Sequence, residues 1–362
     1  MVILAINPGG GSTKVAVFRD RRQVFAENIE HPAVQLARYK MVLDQYRLRK
    51  EAVLDSLRRH KIEPSSLEAI VSRGGPLQPV PGGVYRVTIR VIADIRRGRI
   101  QTLHPSLLGP LVAYELAEEL GIQAYFVDPE STDEFWDIAR ITGLKGVSRV
   151  ALSHALSCRT VATAAAKKLG KPYSRCNFVV AHLGTGFTIA THIKGRQVDA
   201  TNANDEGPFS PQRAGSLPLS GIIRLCFSGR YSERDVLDLV QRRGGLVSYF
   251  GTDDLRMLER LVGKKNRLAC IVYDALVYQT AKWIGAHAVV CRGSLDGIIL
   301  TGGLVKSKRL VSDLRKWTKF LSPRIFVFPS EEEMPALALR LLAALHGDEK
   351  IKLYEKEITV RR

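Results

Sequence analysis

VILAINPGGGSTKVAVFRD, residues 2–20, decides the fold. An apolar run rich in β-branched residues enters the turn Pro8-Gly9-Gly10-Gly11-Ser12-Thr13-Lys14, a second apolar run follows, and a charged turn closes the unit. That order predicts two strands joined by a polar, glycine-rich tip. The layout returns at NFVVAHLGTGFTIATHIKGRQV (177–198), with Leu183-Gly184-Thr185-Gly186 as the tip. The copies start 175 residues apart, too far for a solenoid repeat and well suited to two similar domains.

Between them, apolar residues from about Pro32 to His60 recur at helical spacing (Tyr39, Val42, Leu43, Tyr46, Val53, Leu54, Leu57) and predict one amphipathic helix or two in tandem. LEAIVSRGG (67–75) reads as a strand ending in a glycine turn, and PVPGGVYRV as loop and short strand. LLGPLVAYELAEELG (107–121) reads as a helix stopped by Gly121, followed by the strand QAYFVD ending at Asp128. In the second half, helices are expected at 151–171, 232–243 and 266–286, then strand, turn and helix over 296–317. A last helix spans 335–346 with Pro335 in its first turn. Alternating strands and helices indicate an α/β architecture. The expected division is an N-terminal domain, 1–150 with a C-terminal return helix 335–362, and a second domain, 151–334.

The 362 residues are 45% hydrophobic and 25% charged, which excludes collagen-like and wholly disordered chains. No apolar run reaches the ~18–20 residues of a membrane span, and the first residues lack the basic start of a secretory signal. The five cysteines stand singly, without CxxC spacing, and are expected as buried, reduced thiols of a cytoplasmic protein. The formal charge of +18 is distributed over pairs (Arg21-Arg22, Arg58-Arg59, Arg96-Arg97, Lys167-Lys168, Arg242-Arg243, Lys264-Lys265). With no nucleic-acid motif beside them, these pairs are expected to form a solvated basic surface, with neither nucleic acid nor membrane as partner.

The first turn suits phosphate: glycines let backbone N–H groups approach an anion, and Ser12, Thr13 and Lys14 add donors and charge. It lacks the GxxxxGK[ST] pattern of a P-loop. Two such hairpins facing one cleft could grip a nucleotide's phosphates from both sides, and the turn of IILTGG (298–303) could supply a backbone wall beside the base or ribose. Together they signal two ribonuclease-H-like domains flanking a nucleotide cleft, as in the actin and sugar-kinase superfamily.

INPGGGSTK, SRGG, LHPSLLGP, FVDPESTDEF, SHAL, VAHLGTG, DEGPFSPQRAG, FGTDDLR, ILTGG and PSEEEMPALA follow one another from the first residues to about residue 342. In this order they resemble the acetate and butyrate kinase family, most closely its butyrate kinase branch, which includes enzymes of branched short-chain acids. The resemblance implies reversible phosphoryl transfer from ATP to a short-chain carboxylate such as butyrate or isobutyrate, giving ADP and an acyl phosphate, with Mg²⁺ as cofactor and a homo-oligomeric enzyme. Where the family turn carries hydroxyl residues, this chain has Gly10 and Gly11.

The resemblance also implies roles. Arg73 and Arg213 match the two arginines of the substrate site, where a planar guanidinium fork suits carboxylate and phosphate. His154 matches the histidine that stabilises the transferring phosphoryl group, His104 a second histidine near the substrate, and Asp128 an acidic residue orienting Mg²⁺ or an arginine. Among Glu331, Glu332 and Glu333, the magnesium-linked glutamate is taken as Glu332, with Glu333 as the substitute. Asn7, Ser12 and Lys14 match positions near the phosphates, with His182, Gly184 and Gly186 on the second turn. Asp254, Arg256, Gly302 and Gly303 match the adenosine side. The rival reading is an actin-like ATPase or scaffold without an acyl acceptor, which would have no need of a carboxylate clamp.

Overall fold

The computed structural model describes residues 1–329 and 333–358. The chain parts into two compact units, Met1–Glu134 with Glu332–Arg362, and Phe135–Glu331. Residues 135–150 therefore go with the second unit. There the Trp136 N–H donates to Val198 O at 2.9 Å, and Arg149 pairs with Asp199 and Glu206, both at 2.8 Å.

Strands β1 (Val2–Pro8), β2 (Ser12–Arg19), β3 (Arg22–Glu30), β4 (Ala69–Arg73), β5 (Val84–Arg86) and β6 (Gln123–Val127) lie in the first unit. Strands β7 (Asn177–Leu183), β8 (Phe187–Ile193), β9 (Arg196–Ala200), β10 (Gly297–Thr301) and β11 (Ile325–Phe328) lie in the second, and β12 (Lys352–Leu353) returns to the first. The sheet orders are β12-β5-β6-β4-β1-β2-β3 and β11-β10-β7-β8-β9. Each contains the same five-strand pattern: an antiparallel meander (β1-β2-β3 or β7-β8-β9) extended by two parallel strands (β4, β6 or β10, β11). The duplicated hairpin of the sequence is thus the seed of a duplicated ribonuclease-H-like fold.

Packing follows from the strand period of two. Phe178 and Val180 enter the core on one face of the second sheet, while Val179, Ala181 and Leu183 enter the core on the other. In the first unit, Leu4, Ile6, Val15, Val17 and Ile70 pack with Val53 and Leu57 of helix Tyr46–Arg59 and with Leu108, Val112 and Leu116 of helix Leu108–Leu120. That second helix ends at Gly121, whose φ of 67° is the left-handed conformation glycine adopts without a Cβ clash. Among the described residues no helix is long and apolar enough to cross a membrane, and all twelve residues of the six basic pairs are exposed. Cys158, Cys176 and Cys291 are buried as expected. Cys226 is a correction: its helix, Leu219–Cys226, buries no residue, so the thiol is exposed, and Cys270 is partly exposed.

His287 sets a pH dependence in the second unit. Its Nδ1 lies 2.9 Å from Thr191 Oγ1, and that hydroxyl donates to His287 O at 3.1 Å. The hydroxyl proton is thereby used, so Nδ1–H is the donor between the pair. Burial lowers the His287 pKa from 6.5 to about 4, with Arg149 acting in the same direction. The unfolded chain binds this proton near pH 6.5 and the folded chain only near 4, so stability falls as pH falls through that window, by about 3 kcal/mol at most. The urea midpoint should drop between pH 7 and pH 4.5, and His287→Gln should reduce the drop. An equal drop in both proteins would assign it to other groups.

Candidate active site

In the second unit, β7 and β8 run antiparallel with His182 opposite Thr188 and Leu183 opposite Phe187, so Gly184-Thr185-Gly186 is the tip. His154 is the residue before helix Ala155–Lys168, and its Nδ1 lies 2.8 Å from Thr188 Oγ1. Its ring stacks on buried His182 with centroids 4.2 Å apart and planes 14° from parallel. The hydrogen bond to Thr188 and the stacking on His182 thus orient the imidazole plane beside the tip.

Arg213 reaches the same tip. A Cβ built on Gly186 would sit 2.6 Å from the Arg213 guanidinium carbon, so the missing side chain at Gly186 is the space the guanidinium occupies. The Arg213 loop is tied down by the Ser210 hydroxyl, which donates to Thr185 O at 2.6 Å and accepts from Arg213 N–H at 3.2 Å. Burial lowers the Arg213 pKa, opposed by the charge of Asp205. Gly302, at the end of β10, has φ 94°, and a Cβ there would meet Leu183 O at 2.5 Å. Only glycine lets the third turn lie against the second. Gly303 and Gly184 lie beside these contacts; a Cβ at Gly184 would meet His182 Nε2 at 3.3 Å, and one at Gly303 would meet nothing within 4 Å.

In the first unit, β1, β4 and β6 are parallel, and Asn7, Arg73 and Asp128 stand at or just past their C-terminal ends, the edge where open α/β sheets bind ligands. Asn7 Nδ2 donates to Glu333 Oε2 at 2.7 Å, and Arg73 Nη1 donates to Glu333 Oε1 at 3.4 Å. Arg73 Nε lies 3.0 Å from Glu130 Oε1. The guanidinium is therefore aimed by two carboxylates. His104 accepts from Ser106 N–H at 3.2 Å through Nδ1, and that nitrogen lies 3.9 Å from Glu130 Oε1. Asp128 is buried; it accepts from the Gly83 N–H at 2.8 Å and pairs with Arg340. Ser12 and Lys14 flank Thr13 at the start of β2, with Lys14 opposite Asn7 across the hairpin. Glu332 lies outside the described residues.

Residues 141–318 match the sequence model of the acetokinase family. Over that span, just under half of the chain, the sequence is similar to the acetokinase family. His154, His182, Arg213 and the second and third glycine turns all fall within that acetokinase span, whereas Asn7, Arg73, Asp128 and Glu333 lie outside it. Among solved structures, acetate kinase from Porphyromonas gingivalis is similar at 18% identity, covering 94% of this chain and 98% of that one, with a TM-score of 0.76. A propionate kinase from Francisella tularensis gives 16% identity, 94% and 98% coverage, and a TM-score of 0.73. Acetate kinase from Entamoeba histolytica gives 15% identity, 89% and 87% coverage, and 0.71. These likenesses show a shared fold.

Asp254 and Arg256 follow Asp253, whose carboxylate accepts at 2.8 Å from Nε2 of Gln212, the residue before Arg213. Asp254 caps helix Leu255–Gly263 by accepting from the Arg256 N–H at 2.9 Å, and the exposed Arg256 guanidinium folds back on the same carboxylate at 2.9 and 3.1 Å. Three residues that sequence reasoning passed over contact the candidate residues: Thr188, Glu130 and Arg340. Arg340 left a trace, as the one charge within PALALRLLAAL (335–345). Glu130 lies inside the quoted FVDPESTDEF, and Thr188 carries no distinguishing signal.

Proposed function

We propose that the chain transfers the γ-phosphoryl group of ATP reversibly to a short-chain carboxylate, with butyrate or isobutyrate as the acid, in a cytoplasmic homo-oligomer. The observation that carries the reading is Arg213 lodged at Gly186: a half-buried guanidinium on the glycine tip of the hairpin whose second strand holds His154 through Thr188. The acetokinase match over residues 141–318 supports the same chemistry.

The acid is already ionised near neutral pH, so no general base is required, and the enzyme's work is to position two anions and neutralise charge. Arg73 would bind the acid's carboxylate, with Glu130 and Glu333 fixing its orientation. Arg213 and His154 would donate to the oxygens of the transferring group, while the glycine turns would hold the remaining phosphates through backbone N–H groups. The donor set fits magnesium brought in with the nucleotide: Glu333 offers one hard carboxylate next to the Asn7 amide, and Mg²⁺ takes few protein ligands. When bound, the ion would neutralise phosphate charge. Asp254, Arg256, Gly302 and Gly303 are proposed for the adenosine side, and His104 for the acid.

Acyl hydroxamate formation from a series of C2 to C6 acids, straight and branched, tests the substrate assignment. Highest kcat/KM for butyrate or isobutyrate is expected, and a maximum at acetate or propionate would overturn it. Gly10 and Gly11 provide a second test. Both are exposed, neither has a left-handed φ, and a Cβ at either would meet nothing within 4 Å. Packing does not demand glycine there, so Gly10→Ala should change stability by no more than ~0.5 kcal/mol. If phosphate approaches the bare backbone, the same variant raises KM for ATP severalfold. Unchanged KM would take this turn out of the nucleotide site.

A further inference from the structure

We infer that Arg49 is a positioning residue for the first glycine turn, holding it from behind and keeping one positive charge there for an anionic ligand. The inference rests on the proposed use of that turn as a phosphate site. Arg49 lies on helix Tyr46–Arg59 and is fully buried. Its Nη1 donates to Ser12 O at 2.6 Å and to Thr13 Oγ1 at 3.0 Å. Its Nη2 donates to Gly10 O and to Gln45 Oε1, both at 3.1 Å. Every acceptor is neutral. Among the described residues no carboxylate pairs with this guanidinium, and its Nε has no hydrogen-bond partner.

A buried ion without a counter-ion is costly, because neutral acceptors replace only part of its hydration. Burial accordingly lowers the Arg49 pKa to about 10, which still leaves it charged at neutral pH. The neighbouring His31 does not share the load. Its Nε2 lies 2.9 Å from the same Thr13 hydroxyl, and burial together with Arg49 holds its pKa at about 4, so it is neutral. Positive charge is thus concentrated on one group directly behind Gly10 and Ser12.

The hydrogen bonds also fix which way the turn faces. Gly10 O points to Arg49, and Gly11 O accepts from the His31 N–H at 2.7 Å. Among the described residues no peptide bond is cis, so each N–H is opposed to the carbonyl of its own peptide plane. The Gly11 N–H is therefore turned away from Arg49, and the Ser12 N–H away from His31. With Gly10 and Gly11 exposed, this presents backbone donors to solvent and a buried cation behind them, the arrangement expected of a concavity for anions. A phosphate there would supply the charge that the protein does not.

The test is MgATP affinity by isothermal titration calorimetry, together with melting temperature, on full-length wild type, Arg49→Lys and Arg49→Gln. Loss of a charged donor set predicts a Kd about tenfold weaker for Arg49→Gln. Arg49→Lys keeps the charge but cannot span four acceptors, and an intermediate loss of about threefold is expected. A purely structural arginine behaves otherwise: the variants would melt earlier while the folded protein kept its MgATP affinity, and that result overturns the proposal. If Arg49→Gln fails to fold, Arg49→Lys decides, since wild-type affinity in it overturns the positioning role. Wild type that binds no MgATP would instead refute the parent reading of the turn.

Discussion

Arg213→Ala lowers kcat/KM by about 10²–10³-fold, the scale of removing one preorganised donor from a developing anion, and Gly186→Ala reproduces most of that loss without altering a charge. The reason is steric. The added methyl would overlap the guanidinium at 2.6–2.8 Å, and the far end of an arginine moves more easily than backbone, so the side chain leaves the tip. Melting temperature should therefore change little in Gly186→Ala. In a double-mutant cycle, the second substitution should add almost nothing to the first, because both remove the same group. Full additivity would show that Gly186 acts on the reaction by a route other than Arg213.

His154→Ala is expected to lower kcat by about 10²–10³-fold while changing the KM of acid and ATP far less, as for an interaction made chiefly in the transition state. His154→Asn or His154→Gln should retain part of the rate if hydrogen bonding is what the phosphoryl oxygens require. Thr188→Val offers a control on positioning: it removes the hydroxyl 2.8 Å from Nδ1 but leaves the stacking on His182. Its loss should be smaller than that of His154→Ala and should also appear in kcat. A drop in melting temperature with normal kcat in His154→Ala would assign this histidine to the scaffold.

Much of the fold was legible because its repeated unit writes itself in contiguous residues. β1, β2, β7 and β8 are apolar runs around glycine tips, and buried strands must read that way. β3 was missed because Arg22–Glu30 is an edge strand with no fully buried residue, so no apolar run marks it. The helical spacing of residues 32–60 resolves into helix Ala33–Leu36, a 3₁₀ turn Val42–Gln45 and helix Tyr46–Arg59; apolar periodicity does not reveal where backbone bonding is interrupted. β11 was also missed, being four residues long. At the candidate site, the glycine turns stood out in the sequence, whereas Arg73 and Arg213 were singled out through the family resemblance. Arg49 was not, since in YRLRKE (46–51) it reads as one more charged helix residue, and only tertiary packing buries it. Likewise, nothing in the sequence shows that Glu130 faces Arg73, or that Gly186 makes room for Arg213 across 27 residues.

The most direct measurement is product stoichiometry with MgATP, butyrate and hydroxylamine, reading ADP and butyryl hydroxamate in the same sample. Phosphoryl transfer to the carboxylate predicts ADP and hydroxamate in equal amounts, with ADP release dependent on the acid. ADP accumulating at the same rate with or without any carboxylate, and no hydroxamate, would contradict the account.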